Sequence, residues 1–232
     1  TSDLPFEVEA LNVLYERWCF TKIVRALESL GFRFINKQGR QTTPFYQNPI
    51  PGAVNCRMFH VDCPEKILEV WYESEYPTVK RDNDYYDQDR PYGLEKRGFH
   101  RSDYSGWKDK PDIALEFHDC KSNKTRIKGR SPDIVTFDPT ISHPKNRTEK
   151  YDYQQGIRSF VDQNDEGKSR KLVRAAWGIF PGKHDDEKYL TTPSPDYREN
   201  GFIHLQPGND STEALPKTLD EILSTAGVYT SS

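Results

Sequence analysis

At the start of the chain the apolar positions fall at helical intervals. Val13, Phe20, Ile23, Leu27 and Leu30 share one face of a helix predicted over residues 6–30, and Gly31 follows as a C-cap. Further on the period shortens to two. Residues 55–61 and 66–76 ("KILEVWYESEY") have strand character, and a polar stretch rich in Asp, Tyr and Arg then runs to Lys110. In "PDIALEFH", Ile113, Leu115 and Phe117 alternate with Asp112, Ala114, Glu116 and His118, the pattern of a half-buried strand. A basic turn leads to a second strand, "DIVTFDPT". A helix is predicted over residues 149–162, followed by a strand in "LVRAAWGIF", a short strand in "GFIHLQPGN" and a terminal helix in "LPKTLDEILSTAG" with Pro216 near its start. This order predicts an α/β fold, a mixed sheet flanked by helices, as one domain over residues 1–232 with residues 82–110 as an inserted loop. The abrupt helical start suggests a domain excised from a longer multidomain protein.

Three carboxylates stand out against this pattern. Glu16 falls within the apolar stripe of the first helix, where a lone carboxylate is costly unless it is paired, protonated or bound to a metal. Asp112 opens one strand and Asp138 lies near the end of the next. A hairpin centred near Arg126 and Ile127 would set Asp138 opposite Leu115, with Asp112 roughly 10 Å or less away at about 3.3 Å per residue. The bland readings are a salt bridge for Glu16 and strand-end capping for the two aspartates. A literal D-x-K, Asp119-Cys120-Lys121, lies seven residues past Asp112. It would sit about 23 Å away at the turn end of the hairpin and is read as a decoy.

Composition narrows the class. Charged residues make up 30% of the chain and mean hydropathy is −0.89, but four Trp, thirteen Tyr and twelve Phe supply core material, so the chain is expected to be globular rather than disordered. No apolar run approaches the roughly 20 residues of a membrane span, and the acidic start is no signal peptide, so a cytoplasmic location without membrane contact is expected. Cys19, Cys56, Cys63 and Cys120 form no C-x-x-C pair and fit reduced thiols. Zinc held by Cys56, His60 and Cys63 with Cys120 or His118 is disfavoured, because no second paired cluster completes the site. Net charge is −3, which excludes a generic nucleic-acid glue. Basic residues are concentrated locally, however: Lys121, Lys124, Arg126, Lys128 and Arg130 occupy one acid-free turn, which could grip phosphates or simply be a solvated hairpin tip.

Taken in order, "YERWCFTKI" around Glu16, "PDIALEF", "DIVTFDPT" and "EKYDYQQGIRS" resemble the PD-(D/E)XK nuclease superfamily, and more narrowly the McrC-like restriction subunits and related defence-associated nuclease domains. The resemblance implies a restriction-endonuclease-like core and divalent-metal-dependent hydrolysis of phosphodiester bonds in DNA. It implies Mg²⁺ or Mn²⁺ held by Asp112 and Asp138, with Glu16 supporting the ion or orienting water. Tyr153, Gln154 and Gln155 would occupy the helix that contacts the site or the phosphate. Where the family carries a lysine this chain has Thr140, so Lys150, which opens that helix, or Lys145 would have to supply the missing charge. Implied partners are DNA and the other domains or subunits of a prokaryotic restriction or anti-phage defence system, including a nucleotide-driven motor; a homodimer is compatible with the sequence. The rival expectations are a catalytically inactive nuclease-fold module for nucleic-acid binding or assembly, and an unrelated interaction domain whose acids are structural.

Overall fold

The computed structural model describes residues 4–42, 48–74, 76, 78–79, 92–95, 111–119, 132–141, 157–163, 169–182, 200–208 and 211–229. Helix α1, Leu4–Ser29, buries Phe20, Ile23 and Leu27 as its apolar period requires. It stops where Gly31 turns left-handed at φ 97°, a conformation costly for any residue with a side chain. The chain then enters β1, Phe32–Ile35, a strand that four residues of unremarkable pattern do not announce.

β1 begins a seven-stranded sheet. β2 (Ala53–His60), β3 (Cys63–Tyr72), β6 (Ile113–Asp119) and β7 (Asp133–Pro139) continue it antiparallel, and β10 (Val173–Phe180) and β11 (Asn200–His204) add on parallel to β7. One face packs against α1 and the terminal helix α2, Ser211–Thr225, through Leu68, Val70, Leu115, Phe137, Leu219 and Leu223. The architecture is therefore α/β, with a mixed sheet and two helices among the described residues.

A second, four-stranded sheet runs β4 (Thr78–Val79), β5 (Tyr92–Glu95), β8 (Ile157–Gln163), β9 (Ser169–Lys171). It corrects three expectations. Residues 157–162, predicted as helix, are strand: Ile157 and Ser159 are fully buried and Ser159 pairs with Tyr92, so cross-strand partners decide a segment whose local pattern was ambiguous. The inserted stretch over residues 82–110 contributes β5 rather than loop alone. β6 is buried on both faces, not one, because Tyr76, Ile157 and Leu172 help cover the side that Ala114 and Ile134 present. Pro216 also lies deeper than expected, in the second turn of a helix that starts at Ser211, and it leaves an i−4 carbonyl without its helical donor.

At the β10–β11 step Gly201 pairs with Trp177, and a Cβ on Gly201 would stand 2.2 Å from the indole ring. Gly201→Ala should destabilise the fold by about 1–3 kcal/mol, the usual range for overpacking. Chemical denaturation checks this, and an unchanged midpoint would contradict the packing described.

Candidate metal centre at the end of the central strands

The register between β6 and β7 pairs Ile113 with Phe137, so the next step out sets Asp112 directly across from Asp138. The expected offset of three residues is corrected: the hairpin is centred nearer its start, and the acids are closer than the sequence suggested. The Asp112 backbone N–H donates to Asp138 Oδ1 at 3.2 Å, and Asp138 is buried while Asp112 is half-buried.

α1 brings Glu16 to the same end of the sheet. Tyr72, the last residue of β3 and the partner of Ile113, donates its hydroxyl to Glu16 Oε2 at 3.2 Å. The Asn12 amide donates to Glu16 Oε1, and the Asn12 carbonyl oxygen accepts from the Ile141 N–H at 3.0 Å, which ties the helix to the chain just beyond Asp138. Cys19, one turn along α1, lies in the field of both Glu16 and Asp112. Burial holds its thiol well above the usual range, a hydrogen bond with Tyr15 opposes this, and those two charges push it further up.

A fourth acid was missed by sequence reading. Glu73 follows Tyr72 in a left-handed conformation at φ 46°, with its N–H bonded to the Asp112 carbonyl at 2.7 Å. Such a conformation costs of order 1 kcal/mol or more in a residue with a side chain and is concentrated at functional sites. No signal in the sequence marks it, because the turn is imposed by the β3–β6 pairing. Burial raises the Glu16 pKa; the Tyr72 hydrogen bond opposes this, the Glu73 charge adds to it and Arg17 opposes it. All four are hard oxygen donors, of the kind that suits Mg²⁺ or Mn²⁺ better than a softer metal, although among the described residues they do not form a group whose ligand atoms all lie within 4.8 Å of one another.

Not all the expected site residues can be placed. Lys145, Lys150, Tyr153, Gln154 and Gln155 lie outside the described residues, as do Lys121, Lys124, Arg126, Lys128 and Arg130 of the basic turn. Thr140 is half-buried and donates its N–H to the Ile179 carbonyl at 2.8 Å, which fixes the end of β7 against β10. Cys120 lies outside the described residues, and among those described the zinc set is not assembled: the His60 ring bonds the Leu30 carbonyl at 2.7 Å on the helix-covered side, while His118 shares the opposite side of the sheet with Glu116. Asp119, the acid of the literal D-x-K, is exposed at the far end of β6.

A second cluster of ligand-type residues went unread because its members are on different strands. Glu69 and Glu116 face each other across β3 and β6, and His118 Nε2 lies 3.5 Å from Glu69 Oε2 and 3.3 Å from Glu116 Oε2. Their ligand atoms fall within 4.8 Å of one another. Arg57 Nε binds Glu69 Oε1 at 2.9 Å and the Tyr76 hydroxyl donates to Glu116 Oε1 at 2.9 Å. Burial alone would depress the His118 pKa, but the hydrogen bonds and charges of Glu116 and Glu69 outweigh it and raise the value. With His118 protonated, two carboxylates meet two cations and the cluster is neutral. The same three residues lie close enough together to hold a metal ion in place of that proton, and without one they form a buried, internally compensated network.

His118 has a raised pKa in the folded state, so its stabilisation is complete below the ordinary imidazole value and fades as pH rises through the raised one. Thermal melts should therefore fall on the alkaline side. His118→Ala should cost about 3–5 kcal/mol at pH 6, the range for removing one partner of a buried charge pair, and should flatten that alkaline decline. A variant whose melts track the wild type at every pH would contradict the network.

No family model, curated protein or solved structure matches the chain, so the reading of both clusters rests on their own geometry.

Proposed function

We propose that this domain is a metal-dependent DNA endonuclease with a restriction-endonuclease-like core, serving a prokaryotic restriction or anti-phage defence system. The observation that carries this reading is the meeting of Asp112 and Asp138 across β6 and β7, with Glu16 arriving from α1 at the same sheet end. A helix bearing one acid and two antiparallel strands, one preceded by an aspartate and one carrying an aspartate near its end, support this reading.

In this account Asp112 and Asp138 hold Mg²⁺ or Mn²⁺, which when bound polarises the phosphodiester and makes water a better nucleophile. Glu16 orients the attacking water. As a carboxylate it would take the proton that water loses as its oxygen bonds to phosphorus and one ester P–O bond breaks, the departing oxygen taking a proton from solvent. Tyr72 and Asn12 hold both Glu16 oxygens in place, so the carboxylate needs little reorganisation. Cys19 and the packed face of α1 keep bulk water from the inner side of the site. Partner domains or subunits, including a motor, would deliver the DNA.

A second reading is favoured by Thr140. A neutral residue stands where the resemblance calls for a lysine, which suits a nuclease-fold module that binds nucleic acid or assists assembly without cleaving.

Supercoiled plasmid with Mg²⁺ or Mn²⁺ separates the two. The endonuclease reading expects metal-dependent nicking that falls by about 10²-fold or more in Asp138→Asn, the scale on which a single electrostatic contact acts in catalysis. Intact plasmid at all metal concentrations, with DNA retention at low salt lost on neutralising Lys121, Lys124, Lys128 and Arg130, would establish the binding module instead.

A further inference from the structure

Glu69 on β3 and Glu116 and His118 on β6 are closed off from solvent, the two glutamates at 0% exposure and the histidine at 3%. Both carboxylates are held in the same manner. Arg57 Nε donates to Glu69 Oε1 and the Tyr76 hydroxyl donates to Glu116 Oε1, each at 2.9 Å, so one oxygen of each acid is fixed from outside the cluster. The other oxygen of each lies beside His118 Nε2, Glu69 Oε2 at 3.5 Å and Glu116 Oε2 at 3.3 Å. Outer partners that orient ligand side chains in this way are a regular feature of protein metal sites.

The separations point the same way. A charge-assisted hydrogen bond from nitrogen to a carboxylate closes to about 2.7–2.9 Å, and His118 Nε2 stands farther than that from both oxygens. Two donors on one tetrahedral zinc ion, each bound at about 2.0–2.2 Å, lie about 3.3–3.6 Å apart. Adjacent donors on an octahedral magnesium ion, at about 2.0–2.1 Å, would be drawn in to about 2.8–3.0 Å. The observed distances have the wider spacing, and all three ligand atoms fall within 4.8 Å of one another. One imidazole nitrogen with carboxylate oxygens is also a donor set that zinc accepts.

We infer that Glu69 Oε2, Glu116 Oε2 and His118 Nε2 form a structural zinc site between β3 and β6, completed by a fourth oxygen ligand. On binding, the His118 imidazolium releases its Nε2 proton to water and the freed lone pair goes to the ion. The site is separate from the proposed endonuclease centre and does not depend on that reading. Glu116 lies four residues from Asp112 along the chain, roughly 13 Å at about 3.3 Å per residue, against the roughly 3.5–4 Å of a two-metal catalytic pair. Because the cluster is closed to solvent, the ion enters as β3 and β6 assemble and does not exchange in the folded chain. Its effect is to lock the two strands together.

The test is made on the full chain. It is unfolded in denaturant with chelator, refolded with or without Zn²⁺, and dialysed against chelator in the folded state before its metal content is read by mass spectrometry. Wild type refolded with Zn²⁺ is expected to keep one ion per chain, to release it only on unfolding, and to melt at a higher temperature than the ion-free chain. Asp138→Asn is expected to keep the ion as well, whereas His118→Gln and Glu116→Gln, shown by melting curves to be folded, are expected to keep less than about a tenth as much. X-ray absorption at the zinc edge of the wild type needs no variant: one imidazole with oxygen ligands is expected, and sulfur in the coordination shell would place the ion on cysteine thiols and overturn the inference. No retained zinc in the wild type overturns it too, as does retention in folded His118→Gln equal to that of wild type. Each of these outcomes is read without reference to whether the protein cleaves DNA.

Discussion

The pairing of Ile113 with Phe137 across β6 and β7 is the constraint on which the rest depends. A slip of one residue in a strand moves every side chain to the opposite face. Here it would turn Leu115 and Phe117 away from α1 and drive Glu116 and His118 into the helix-covered core. Because β6 is central and buried on both faces, neither change is tolerable, and the register is held by the whole hydrophobic pattern rather than by its turn. The meeting of Asp112 and Asp138 is a by-product of that packing. Two acids are brought to one point by apolar residues several positions away, and the Asp112 N–H then bonds the carboxylate that burial would otherwise penalise.

The sheet thus has two chemically different ends. In its interior, Glu69 and Glu116 form ion pairs with Arg57 and His118. At the end of the strands burial raises the Glu16 pKa, the Tyr72 hydrogen bond opposes this and the Glu73 charge adds to it, with Glu73 held there in a left-handed turn. Two clusters of similar residue types therefore occupy different places in the fold, the proposed ion site at the strand ends and the Glu69–Glu116–His118 network within the sheet.

What could be read in the sequence follows the range of the forces involved. The stripe of α1 with Glu16 inside it, the alternation in β6 and the strand ending at Asp138 depend on neighbours within a few residues, and these were legible. So was the mixed sheet, apart from its extra strands. The register fell three residues out because turn geometry had to be guessed, and residues 157–162 were assigned to helix because pairing with Tyr92 is a long-range event. Glu73 and the Glu69–Glu116–His118 network could not be seen, since each depends on contacts between strands.

The central claim is that Glu16, Asp112 and Asp138 together bind one divalent ion. Anomalous diffraction from a crystal soaked in Mn²⁺ tests it most directly. The account predicts a single strong peak between the Asp112 and Asp138 carboxylates and within reach of Glu16, with Glu69, Glu116 and His118 unchanged. A peak at the Glu69–Glu116–His118 cluster instead, or three carboxylates with no ion among them at saturating Mn²⁺, would contradict it.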